Sequence, residues 1–346
     1  MRQLVMALLL TAVPLSRAEI PPLPEPVTNN AVASVQLDDG LHLVSLMGLG
    51  SGKTWQDTTL AAWHLAPAAA SWRRLPDVPG DEGRLAGVAV GVGEHIYIVG
   101  GYTVAADHAE VSVPSVHALD LQSKSYTEKT PMPVPVDDTV ALVYRDRYIY
   151  LVSGWHDSGN VNLVQLYDTE TDSWTQATPW PATPVFGAAG GIVDDTIVIC
   201  DGVAVRSTRD QRRFVSAPTC RRGVIRADDI RRIDWYSMPH HPGPALYRMA
   251  ATGARVGDGS VILFAGGSAN PYNYDGVGYN GRPSDPSDRV FAWSVQGQRW
   301  LRLRRLQQAT MDHRGLLPLG QGYAIVGGMR DEQQVTDDVV VFEAVR

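Results

Sequence analysis

Residues 95–102 read HIYIVGGY. Four apolar residues, Ile96 to Val99, run directly into Gly100-Gly101. A short β-branched run bounded by glycine reads as a strand buried on both faces. The same word returns along the chain. RYIYLVSGW ends at Gly154-Trp155, DTIVICDGV at Gly202-Val203, SVILFAGGS at Gly266-Gly267 and GYAIVGGM at Gly327-Gly328, and a worn copy, LHLVSLMGLG, ends at Gly50. The second glycines stand at 50, 101, 154, 202, 267 and 328, spaced by 51, 53, 48, 65 and 61 residues. A period near fifty marks a repeat architecture. After five of the six words comes an aromatic: Trp72 in SWRRLPDVP, Tyr126 in SYTEKTPMPVP, Trp174 in SWTQATPWP, Trp235 in DWYSMPHHP and Trp300 in RWLRLRRL. All but the last lead into prolines.

This order resembles the kelch repeat, and the resemblance covers the chain from residue 19 onward. It implies an all-β, six-bladed kelch-type β-propeller with four strands to a blade. Glycine suits the hub, where backbones crowd and a positive φ is needed as the chain leaves the strand. A propeller also has to close its ring or expose edges. The last repeat supplies three strands, while EIPPLPEPV at residues 19–27 looks like the proline-rich exits of the outer strands. Residues 19–27 are therefore expected to form the outer strand of the last blade; the alternative is a loose proline-rich tail.

No linker or low-complexity tract divides residues 19–346, so one domain is expected. Residues 1–18 carry Arg2, the apolar run LVMALLLTAVPL and Ser16-Arg17-Ala18, the pattern of a signal peptide cut after Ala18. The product is then periplasmic or secreted, with no membrane insertion after cleavage. A net charge of −7 argues against a nucleic-acid partner. Cys200 and Cys220 are the only cysteines. In an oxidising compartment they are a disulfide candidate that would staple a long insertion, and two separate buried thiols are the other reading. A monomer is expected.

In a blade, the loops after each glycine pair share one face with the connections between blades. These loops are long, at 102–115, 155–162, 202–222 and 268–288, and long loops on a rigid scaffold concentrate binding residues. Aligned ahead of each innermost strand are Asn30, Arg84, Asp138, Phe186, Arg248 and Arg314. Converging Arg84, Arg248 and Arg314 would clamp a carboxylate; inter-blade hydrogen bonding is the structural alternative. Tyr272, Tyr274 and Tyr279 alternate with asparagines in loop 268–288, and with Trp155 they offer flat faces for a sugar, or else fill a self-packed loop. Residues 206–232 hold nine Arg and three Asp, among which Arg206 and Arg209 are best placed to capture an anion. Asp312, His313 and His241 are acid–base candidates, beside His156-Asp157 and His240. Two adjacent histidines do not chelate one ion without further ligands, so no metal site is expected.

Among kelch propellers the layout is similar to the N-acetylneuraminate epimerase family, periplasmic sialic acid mutarotases that need no cofactor. The resemblance implies an acid–base Glu directly after the blade-four glycine, followed by an Arg. Here the word is Asp201-Gly202-Val203, with Arg206 or Arg209 beyond it. The partner is thus expected to be an acidic sugar or a protein, with mutarotation of an acidic sugar as the alternative activity.

Overall fold

The computed structural model describes residues 20–207, 212–256, 259–320 and 322–344. The signal segment at 1–18 and Arg209 lie outside the described residues. The chain folds as a six-bladed β-propeller. Blade 1 comprises Ala31–Leu37, Gly40–Leu49, Thr58–Leu65 and Arg73–Arg74, ordered from the axis outward. Blades 2 to 5 repeat this four-stranded antiparallel order, and blade 6 has three strands, Leu317–Leu319, Gly322–Val326 and Val339–Phe342. The innermost strand of each blade touches that of the next, and the sixth returns to the first. Two short 3-10 turns, Trp55–Asp57 and Asp331–Gln333, are the only helical turns among the described residues.

The second strand of each blade is buried on both sides, which is why its sequence lacks polar alternation. Six apolar layers fill the spaces between successive blades. Burying each large aliphatic side chain there contributes about 1.5–3 kcal/mol.

The glycine pairs have two different jobs. The first position has φ between +57° and +72° in all six blades, at Met47, Gly100, Ser153, Asp201, Gly266 and Gly327. Non-glycine residues are tolerated there in three blades. The second position has φ between +85° and +118°, at Gly48, Gly101, Gly154, Gly202, Gly267 and Gly328. A Cβ there would lie 2.6–2.9 Å from the backbone carbonyl oxygen of Thr28, Leu85, Asp137, Phe186, Tyr247 or Met311. Glycine is therefore obligatory at the second position. In blade 1 that residue is Gly48, two residues before Gly50.

The aromatic word tethers blade to blade. Tyr126 donates its hydroxyl to Pro76 O at 2.8 Å, and the indoles of Trp174, Trp235 and Trp300 donate to Thr130 O, Thr178 O and Pro239 O. Each acceptor lies in the exit segment of the preceding blade. Trp72 of blade 1 makes the equivalent bond to Pro21 O at 2.9 Å. The N-terminal segment thus takes the place of the exit of blade 6, with Leu23 and Val27 buried in the layer that closes the ring. It is not a ladder strand. Pro21, Pro22, Pro24 and Pro26 lack N–H groups, and its backbone bonds to the blade are Leu23 N–H to Asp337 O at 2.7 Å, Val27 N–H to Thr336 O at 3.2 Å and Gly328 N–H to Val27 O at 2.9 Å.

Candidate binding site on the hairpin face

Where the chain turns inward ahead of each innermost strand, one residue is left-handed: Asn29, Ala86, Asp138, Gly187, Arg248 and Asp312, with φ from +48° to +73°. Backbone bonds run around this ring, from Asp138 N–H to Ala86 O, Gly187 N–H to Asp138 O, Arg248 N–H to Gly187 O and His313 N–H to Arg248 O, at 2.9–3.1 Å. Asp138 and Arg248 are in the register expected from sequence. Asn30, Arg84, Phe186 and Arg314 stand one or two residues away from it.

That slip dismantles the triple-arginine clamp. The Arg84 guanidinium is buried between blades 1 and 2, donating to Ser115 Oγ at 2.7 Å, Pro79 O at 3.0 Å and Gly100 O at 3.3 Å. Arg248 and Arg314 do meet at the axis, but each meets aspartates. Arg248 donates to Asp138 and, at 2.8 Å, to Asp312 Oδ1. Arg314 lies 2.8 Å from Asp138 Oδ1 and donates to Asn29 Oδ1. Thr28 Oγ1 donates to Asp312 Oδ2 at 2.6 Å. The result is a charge-balanced layer of two arginines and two aspartates. Burial pushes the Asp138 carboxyl up, and the two guanidiniums more than offset this, holding it below the usual carboxylate range. His313 is buried beside Thr310 Oγ1, and burial pushes its imidazole down to about 4.

The layer separates two cavities. Below it, the central channel of about 230 Å³ is lined by small and aliphatic residues together with His313 and Arg314. Above it lies a pocket of about 180 Å³ with Asp138 and Arg248 in its floor. The expected acid–base pair Asp312 and His313 does not line this upper pocket.

Three hairpins grow from the glycine pairs and wall the pocket: Tyr102–Val104 with Glu110–Ser112, Trp155–His156 with Gly159–Asn160, and Val203–Ser207 with Arg212–Ser216. Each begins directly after the obligatory glycine. Tyr102, Trp155 and Val203 bridge back to Leu85, Asp137 and Phe186. The blade-five loop completes the wall. Its Tyr279 stacks on Phe214 at 4.3 Å between ring centroids, and Trp155 packs edge-on against Phe186 at 5.4 Å. Tyr274 lines the pocket, while Tyr272 is fully buried against Tyr247 beneath it. Loop 268–288 also packs on itself, with Asn280 Nδ2 donating to Asn270 Oδ1 at 2.9 Å.

The polar lining is mostly acidic: Glu110, Asp137 and Asp138, against the already paired Arg248. Asp137 accepts a hydrogen bond from Ser112 Oγ at 2.7 Å. Burial, then the Asp138 charge, pushes its carboxyl well above the usual range. Sequence reading missed Asp137 and Phe214. The doubled Asp137-Asp138 was a visible signal for the first; nothing in the sequence paired Phe214 with Trp155. Arg206 is exposed on the third hairpin, with Arg213 opposite it in register.

Between the second and third strands of blade 4, Cys200 and Cys220 face each other in register and are disulfide-bonded. The next residue, Asp201, holds both histidines: its Oδ1 lies 2.7 Å from His240 Nε2 and its Oδ2 2.7 Å from His241 Nε2. His241 is thus engaged here and does not line the pocket.

A kelch-motif family model matches residues 83–133, blade 2 with its flanks. The chain is a six-bladed β-propeller that carries a kelch motif in its second blade. The kelch-like protein terF of Aspergillus terreus is 28% identical over 192 residues, covering 51% of this chain and 39% of that protein. The human kelch repeat and BTB domain-containing protein 2 is 30% identical over 148 residues, 39% of this chain and 23% of the relative. The chain thus spans well under half the length of these relatives. Among solved structures, that of YjhT superposes with a TM-score of 0.72 at 17% identity, covering 93% of this propeller and 96% of that chain. The likeness is one of fold. The position after Gly202, where the epimerase resemblance implied a Glu, is Val203, fully buried and paired with Ser216.

Proposed function

We propose that this kelch propeller binds a single carbohydrate unit in the upper pocket, and that the sugar is neutral or amino-bearing rather than acidic. The observation that carries this is the lining itself. Aromatic faces from Trp155, Phe214 and Tyr279 stand above a floor of carboxyls. Sugar C–H faces stack on such rings, while hydroxyl or ammonium groups donate to carboxylates. Among the residues lining the pocket the cation is Arg248, and it is already paired with Asp138 and Asp312, so a ligand carboxylate would meet the acidic floor with no unpaired lining cation. The volume, about 180 Å³, is below the ~300–1,000 Å³ typical of drug-sized sites, which fits one ring. An exported chain suits this reading, because the Cys200–Cys220 bond persists in oxidising compartments. Protein docking on the same rim finds less support. Among the described residues, the exposed large apolar side chains are Val111, Tyr236, Val256 and Val277, from separate parts of the chain.

The test is calorimetry against neutral hexoses, N-acetylhexosamines, hexosamines, uronic acids and sialic acids. Binding of a neutral or amino sugar, weakened at least tenfold in Trp155→Ala, is expected. Preference for a uronic or sialic acid would overturn the assignment of charge, and silence across the panel would overturn sugar binding.

Asp137 favours a second reading, catalysis of anomer exchange. A carboxyl that burial pushes well above the usual carboxylate range is suited to proton transfer with a bound sugar. NMR exchange spectroscopy on the bound sugar checks it: acceleration over buffer that Asp137→Asn removes, with affinity retained, supports catalysis, and equal exchange with and without protein rejects it.

A further inference from the structure

The geometry points to a divalent-metal site of the zinc class formed by Asp201, His240 and His241, where the connection into blade 5 crosses the end of blade 4. It is separate from the proposed sugar pocket.

Asp201 stands at the first position of the glycine pair, φ +64°, where blades 2, 5 and 6 carry glycine. Its carboxylate points away from solvent. The Asp201 and His241 side chains are fully buried and His240 is 23% exposed. Successive side chains of an extended segment point to opposite sides. His240 and His241 instead lie alongside one another, ring centroids 4.0 Å apart and planes tilted by 35°. Both bring Nε2 to the same carboxylate, and the three donor atoms lie within 4.8 Å of one another.

His241 gives the argument its direction. Its Nε2 faces Asp201 Oδ2 at 2.7 Å and its Nδ1 faces Pro242 O at 3.5 Å. A neutral imidazole carries one N–H, so one of these nitrogens would turn a lone pair toward an oxygen. A cation on the Asp201 side removes that conflict. With Nδ1–H directed at the Pro242 carbonyl, Nε2 is left as a free base. This is the carbonyl-oriented tautomer of metal-bound histidines. Arg289 donates to the same carbonyl, and Leu246 N–H donates to Asp201 Oδ2 at 2.8 Å, so the ligands are held by their own partners.

Two imidazoles and one carboxylate suit Zn²⁺ and its borderline neighbours; Mg²⁺ and Ca²⁺ prefer oxygen alone. Bonds of ~2.0–2.2 Å set donors roughly 3.3 Å apart, so each nitrogen–oxygen pair opens by roughly half an ångström to admit the ion. The partly exposed side of His240 is the entry path and leaves a coordination position for water. The ion would pin the segment before Arg248 to blade 4, beside the disulfide.

The test uses the full chain without an affinity tag, stripped with chelator and titrated with Zn²⁺ and Co²⁺. Uptake of one equivalent is expected, with visible Co²⁺ bands of nitrogen–oxygen coordination and a rise in Tm. His240→Ala, at a partly exposed position, should keep the far-ultraviolet circular dichroism spectrum and weaken uptake at least tenfold. No stoichiometric uptake, or uptake equal in His240→Ala, would overturn the site and leave a proton bridging His241 and Asp201.

Discussion

The Arg248 guanidinium meets the Asp138 carboxylate across an intervening blade, Nε to Oδ1 at 3.2 Å, with both side chains buried. The two residues occupy equivalent left-handed positions two repeats apart. Their pairing makes the hub a closed layer of alternating charge, and the pocket above it becomes a carboxyl-floored cup instead of an anion trap.

Removing one charge from this layer is expected to be costly. Arg248→Met leaves Asp138 and Asp312 sharing Arg314, and breaking a buried pair costs about 3–5 kcal/mol. Urea denaturation measures it. Arg248→Met with Asp138→Asn should recover part of the loss; a single variant within about 1 kcal/mol of the parent would show the layer contributes little.

Glycine at the second position is a steric requirement. Gly202→Ala places a Cβ 2.8 Å from Phe186 O at φ +91°, while Gly93→Ala, at φ +57°, meets nothing within 4 Å. The first should cost about 3 kcal/mol, combining left-handed strain and the clash, and the second about 1 kcal/mol. Equal losses in thermal melts would refute the requirement.

His313 gives acid sensitivity of known sign. Its folded value, about 4, lies below the ordinary 6.5. The neutral ring is favoured in the fold, so its stabilisation is complete above pH 6.5 and is lost as pH falls toward 4. The change is on the order of 3 kcal/mol. In His313→Gln, which retains a partner for Thr310, the fall in stability between pH 6.5 and 4 should be shallower. Parallel curves for parent and variant would contradict the assignment.

The disulfide closes a loop with a sequence separation of 20 that contains the third hairpin. Replacing both Cys200 and Cys220 by alanine should lower stability by about 3 kcal/mol in the chain-entropy account. Because Phe214 rides on that hairpin, sugar affinity should fall as well. Unchanged affinity would mean the hairpin keeps its position without the bond.

The repeat was legible because it rests on local requirements. A β-branched run with no polar alternation has to be a buried strand, and a glycine at φ near +100° with a carbonyl behind it cannot be replaced. The exit-like prolines of residues 19–27 likewise pointed to a segment that closes the last blade, but not to its contact with Trp72. Finer register was not legible. An offset of one or two residues ahead of the innermost strands leaves the apolar pattern intact, yet it separates Asp138 and Arg248, which sit in the ring, from Arg84, which does not.

From the sequence alone came six repeats, five of their six obligatory glycines, the face bearing the long loops and the identity of the aromatic tethers, since each depends on a residue and its near neighbours. Only the folded ring determined which charges cancel, that Asp137 is the buried carboxyl of the pocket, and that Asp201 gathers both histidines. Those outcomes depend on distances between residues tens to hundreds of positions apart, and such distances exist only once the blades have closed around an axis.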